Sequence, residues 1–114
     1  MLMLIRIFYP DGRDEIEEVK CRPVNVDDIH RIVDPIIGKP LEHVNVYWPF
    51  TSAVPRYLDA FVNEDGHRRR LPLNRKATLI YHNNTRVHRP NEYEPKTMPV
   101  IVGPMVLFQR KVWI

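Results

Sequence analysis

A single cysteine, Cys21, among 114 residues leaves no internal disulfide to form. Small secreted domains are usually stapled by several bridges, so a reducing, cytoplasmic setting is expected. Long hydrophobic runs are also missing. A bilayer-spanning helix needs about 20 predominantly apolar residues, whereas the apolar opening Met1 to Ile5 ends at Arg6. That opening lacks a basic flank and a small-residue cleavage site, and is expected to be a first β-strand rather than a signal peptide. The chain is therefore read as soluble, with no membrane association. Glycine is scarce, with only four residues. No Gly-x-Gly-x-x-Gly, phosphate loop or Gly-x-Ser-x-Gly occurs, so the backbone is poorly supplied for cradling phosphates.

The spacings of metal ligands are absent as well. No His-x-x-x-His or Cys-x-x-Cys pair occurs; His82 and His88 stand six apart, and His30, His43 and His67 are scattered. Cys21 would need a histidine base brought to it by the fold, and is expected to be a strand or core residue. The adjacent carboxylates Asp27 with Asp28 and Glu64 with Asp65 fit capping and solubility better than acid and base catalysis. No catalytic residue, metal or cofactor is expected, and the chain is not expected to be an enzyme.

What the chain does have is an uneven charge. From Asp11 to Asp34 eight acidic residues face four basic ones, while from Gly66 to Asn91 there is no acidic residue at all. That second stretch carries Arg68, Arg69, Arg70, Arg75, Lys76, Arg86 and Arg89. Such asymmetry steers a polyanion or an acidic partner, or marks two complementary surfaces that meet within the fold or across a homodimer.

With 114 residues the chain is expected to form one domain over its whole length, 1–114. Leu2 to Phe8 and Glu15 to Cys21, separated by Pro10-Asp11-Gly12, predict a β-hairpin with its carboxylates in water. Asn25 or Asp27 caps a helix with Ile29, Ile32, Val33 and Ile36 on one face, and Pro35 is expected to end it near Asp34. Alternation predicts strands over Leu41 to Trp48 and Arg56 to Val62, with a turn at Asn63 to Gly66. Asn74 caps a helix of about two turns ending at His82, with Ala77, Ile80 and Tyr81 inward. Asn83 to Pro99 reads as a long loop. Val100 to Phe108 reads as a strand buried on both faces, with Pro104 requiring an edge or a bulge. The sum is an α+β fold, roughly ββαββαβ, with a mostly antiparallel sheet.

Asn63-Glu64-Asp65-Gly66, then Leu71-Pro72-Leu73-Asn74 running into Ala77-Thr78, then a strand with Ile101 and Gly103, resemble in order and spacing the uncharacterised bacterial, plasmid and phage proteins catalogued as domain of unknown function 3846. The resemblance implies a small accessory protein of mobile elements or their hosts, and carries no activity or ligand. The same string also has a fold-forming account. Asn63 and Gly66 suit a turn, Pro72 an extended approach, Asn74 a cap, and Ala77 a close helix-to-sheet contact.

Two functional expectations result. The first is a binding module acting through protein contacts, with a protein partner or as a homo-oligomer, through Trp48, Phe50 and Trp113. The second is a nucleic-acid-associated protein in which Arg68, Arg69, Arg70, Arg75, Lys76, Arg86 and Arg89 contact phosphates while Trp48, Tyr57 or Tyr81 stack on bases. Along a strand, Arg69 would point away from Arg68 and Arg70.

Overall fold

The computed structural model describes residues 3–19, 25–44, 46, 57 and 59–109. Cys21, Trp48, Phe50 and Trp113 lie outside the described residues. The predicted hairpin is present as β1 (Met3–Phe8) and β2 (Asp14–Val19), paired antiparallel with Arg6 opposite Ile16. Its turn closes through the Gly12 N–H donating to the Tyr9 carbonyl, and Gly12 has φ 95°, a left-handed value that a β-carbon would disfavour. Arg6 on β1 hydrogen bonds both carboxylate oxygens of Asp14 on β2 and thereby holds that carboxyl below its ordinary value.

Helix α1 spans Val26–Ile37, capped by the Asn25 side chain, which accepts from the Asp28 N–H at 2.9 Å. Asp27 and Asp28 sit at its positive end. Pro35 does not end it. The helix continues to Ile37 and closes at Gly38, whose N–H donates to the Asp34 carbonyl. A proline this close to the end removes one backbone donor, and burial of Ile37 beside Ile29 and Val33 offsets that loss.

Strand β3 (Leu41–Val44) and strand β4 (Asp59–Asn63) pair antiparallel, His43 opposite Phe61. The remainder of the predicted strand to Trp48 is not among the described elements. Helix α2 runs over Arg75–His88, about twice the predicted length, and takes in six residues read from sequence as loop. A short 3-10 turn, Pro90–Glu92, follows, and β5 (Met105–Phe108) completes the fold. The sheet order is β2-β1-β5-β4-β3, every pairing antiparallel. This is an α+β fold.

β5 lies inside the sheet, between β1 and β4, with all of its residues buried, but the strand predicted from Val100 begins only at Met105: Val100 is exposed and Val102 makes an isolated bridge to Leu73. Pro104 needs neither an edge nor a bulge because it stands one residue before the strand. Odd and even positions then build two cores. Met3, Ile5, Ile7, Phe61, Val106 and Phe108 face α1, with Phe61 and Phe108 edge to face at 5.5 Å. Phe8, Val44, Tyr57, Ala60, Val62, Met105 and Leu107 face α2, which contributes Ala77 and Ile80.

The string from Asn63 to Thr78 joins these layers. Asn74 is fully buried. Its Oδ1 accepts the Ala77 N–H at 3.1 Å, capping α2, while its Nδ2 donates to the carbonyls of Phe8 at 2.8 Å and Gly103 at 2.9 Å. Asn63 acts similarly at the other helix: its Nδ2 donates to the Ile37 carbonyl at 2.9 Å, and its Oδ1 accepts the Asp65 N–H at 2.8 Å. Gly66 is required by crowding, since a β-carbon there would stand 2.8 Å from the Val102 methyl and 3.3 Å from the Asn63 carbonyl oxygen.

Candidate functional site

Helix α2 begins over Phe8, where the Lys76 ammonium stands 5.5 Å from the ring centroid, and its second half passes β4 and β3. At three- and four-residue steps Arg75, Leu79, Asn83 and Arg86 share the side away from the sheet, with Lys76 and Val87 beside them. Leu79 is 60% and Val87 53% exposed. Ala77, Ile80, Asn84 and Thr85 are buried on the opposite side. No acidic residue occurs in the helix, so its outer face combines two apolar side chains with three cations. Arg75 and Lys76 sit at the N-terminus, where positive charge opposes the helix dipole, and Arg86 at the C-terminus, where it is favourable.

The seven predicted basic residues fall on two elements, the turn over residues 64–70 and helix α2 with its cap. Arg68, Arg69 and Arg70 belong to a compact turn over residues 64–70, not to a strand or hairpin arm, so alternation does not govern them. Arg68 turns back to an ion pair with Asp65, the Arg69 guanidinium reaches over Gly38 at the end of α1, and Arg70 takes a left-handed φ of 55°. Arg69 is thus drawn to the α1 side, while Arg75, Lys76 and Arg86 lie on α2. Arg86 is helical rather than in a loop and bonds the Asn83 Oδ1 at 3.0 Å; Arg89 caps α2 and faces Glu92 at 3.5 Å. Of the rings proposed to stack on bases, Tyr57 is fully buried and Tyr81 is half-buried against the α2-side core. Tyr57 is closed to a base by that burial, which also pushes its phenol pKa up against the opposing effect of Arg6.

A cleft of about 480 Å³ opens where α2 passes β3 and β4, with Glu42, Glu64, His67, Tyr81 and Arg89 in its walls. His67 Nε2 donates to the Val100 carbonyl at 2.8 Å, and His82 Nε2 donates to the Pro99 carbonyl at 3.0 Å. A carbonyl only accepts, so both Nε2 atoms carry a proton. Thr78 adds a third tie, its hydroxyl accepting the Ile101 N–H at 2.8 Å. These bonds fasten residues 99–101 against the turn and the helix, and His67 is thereby the cleft-lining residue that serves the fold directly. Among the described residues that line it there is no serine, threonine or cysteine. Among the described residues no group of three or more histidine, cysteine, aspartate or glutamate side chains is placed to hold a metal, and no helix is long and apolar enough to cross a membrane.

Local pattern does not mark Leu79 and Val87 as a surface pair, because Leu79 stands next to inward Ile80 and the polar residues after His82 disfavour helix. The three- and four-residue steps from Arg75 to Arg86 were the available signal. Comparison with protein-family models, with curated proteins and with solved structures finds no match to this chain.

Proposed function

We propose that this chain is a small accessory protein that acts through protein contacts and not through catalysis, with the outer face of α2 as its docking surface. The observation carrying this reading is the exposure of Leu79 and Val87 on the outward side of α2, which also carries Arg75, Lys76 and Arg86. An exposed apolar residue standing singly is ordinary, whereas apolar side chains within a charged rim have the composition of a contact surface. The complementary partner is a protein surface with apolar residues among carboxylates. The resemblance of Asn63 to Gly66 and Leu71 to Thr78 to domain of unknown function 3846 is the support for a phage, plasmid or host-bacterial origin.

Nucleic acid binding is the second reading, favoured by the absence of acids on α2. Binding to labelled single-stranded DNA, duplex DNA and RNA, followed by anisotropy across a salt series, separates the two. The protein-contact reading expects only weak binding, gone by about 0.2 M salt. Micromolar binding at about 0.15 M salt, with a steep slope that the Arg75→Glu, Arg86→Glu double variant flattens, would overturn it in favour of phosphate recognition.

A further inference from the structure

The acidic stretch of the sequence becomes the sheet's outer strand. β2 reads Asp-Glu-Ile-Glu-Glu-Val, pairs among the described residues with β1 alone, and exposes Ile16 by 55%. Ile16 stands opposite Arg6, hence on the same sheet face as α2, and Glu18 is its neighbour on that face. Glu15 and Glu17 flank it on the other side of the strand. Asp14 is engaged by Arg6 and Glu15 by Arg13, but Glu17 and Glu18 form no ion pair among the described residues.

Within one chain α2 starts over Phe8, where Lys76 also helps to lower the Asp14 pKa, and runs towards β4 and β3, so beyond Asp14 it leaves Ile16 and Glu18 exposed. On this face the strip has the complementary chemistry for the outer face of α2: exposed Ile16 between Asp14, which Arg6 already holds, and Glu18, against exposed Leu79 and Val87 with Arg75, Lys76 and Arg86. Carboxylates along the edge also oppose direct pairing of β2 with another β2, because like charges would be brought together.

We infer that the occupant of α2's outer face is a second copy of this chain, offering its β2 strip, in a two-fold dimer. Two antiparallel α2 helices lie between the facing sheets, each burying Ala77 and Ile80 on its own sheet and Leu79 and Val87 on the partner's strip. The arrangement is isologous: each copy supplies one basic and one acidic surface, and the two contacts are identical. This inference rests on the reading of α2 as a protein-contact face.

Sedimentation equilibrium of the full chain tests it with two charge variants on the facing surfaces, Arg75→Glu with Arg86→Glu, and Ile16→Lys with Glu18→Lys. Wild-type protein is expected to form a dimer that weakens about tenfold or more on raising salt to roughly 0.5 M. Each charge variant alone is expected to be monomeric, and an equimolar mixture of the two to recover the dimer, because both contacts become complementary in the heterodimer. All four positions are exposed, and far-ultraviolet circular dichroism verifies that each variant remains folded. A wild-type chain that stays monomeric, a dimer indifferent to both charge variants, or a mixture that stays monomeric would each overturn the inference. A monomeric chain whose Leu79 position still contacts a different protein would leave α2's proposed role standing.

Discussion

Replacing Asn74 by alanine is expected to cost about 3 to 5 kcal/mol, the sum of a lost helix cap and two buried carbonyls deprived of their donor. Domains are stable by only about 5 to 15 kcal/mol, so such a loss lowers the denaturant midpoint severely. Aspartate at this position separates two roles. Asn74→Asp keeps the oxygen that accepts the Ala77 N–H but places a second oxygen where Nδ2 now faces the Phe8 and Gly103 carbonyls at 2.8 and 2.9 Å. If capping were the main role, the aspartate variant would be nearly as stable as wild type. The three-way clamp predicts that it is at least as damaged as the alanine variant, and urea unfolding of the two side by side decides the matter.

Asn63→Ala is the second large effect, expected at about 2 to 4 kcal/mol. Asn63 is buried and joins the end of α1, through the Ile37 carbonyl, to the turn after β4, through the Asp65 N–H. Losing it leaves one of the helix's last carbonyls without this donor. The damage should also be local before it is global. Hydrogen exchange is expected to speed up first at Asp65 and Gly66 and in the last turn of α1, while β1 and β5 amides keep their protection relative to the new global stability. Uniform acceleration across the sheet, or a loss below about 1 kcal/mol, would mean that the Asn63 bonds do not hold the layers together.

Both asparagines were legible in the sequence as punctuation, Asn63 as a turn residue and Asn74 as a cap, and both occupy those places. What local pattern could not reveal is their reach: Asn74 bonds a carbonyl 66 positions earlier, and Asn63 one 26 positions earlier. Hairpin and first helix were read well because their turn, cap and apolar steps are local signals. Two errors share a cause. Pro35 and the polar residues after His82 disfavour helix locally, but tertiary burial of Ile37 in one case and of Asn84 and Thr85 in the other carries each helix onward. The basic run shows the limit most directly: strand alternation would place Arg69 opposite Arg68 and Arg70, whereas the three stand in a turn, with Arg68 paired to Asp65 and Arg70 left-handed.

Site-specific photo-cross-linking tests the claim that α2's outer face is a protein-contact surface. Leu79 is replaced by p-benzoylphenylalanine, with the same residue at exposed Asp27 on α1 as the control. The account predicts discrete protein adducts from position 79, identified by mass spectrometry as this chain or another protein, that are absent from position 27 and lost when Arg75→Glu and Arg86→Glu are added. Adducts to nucleic acid at position 79, or the same protein adducts from both positions, would contradict it.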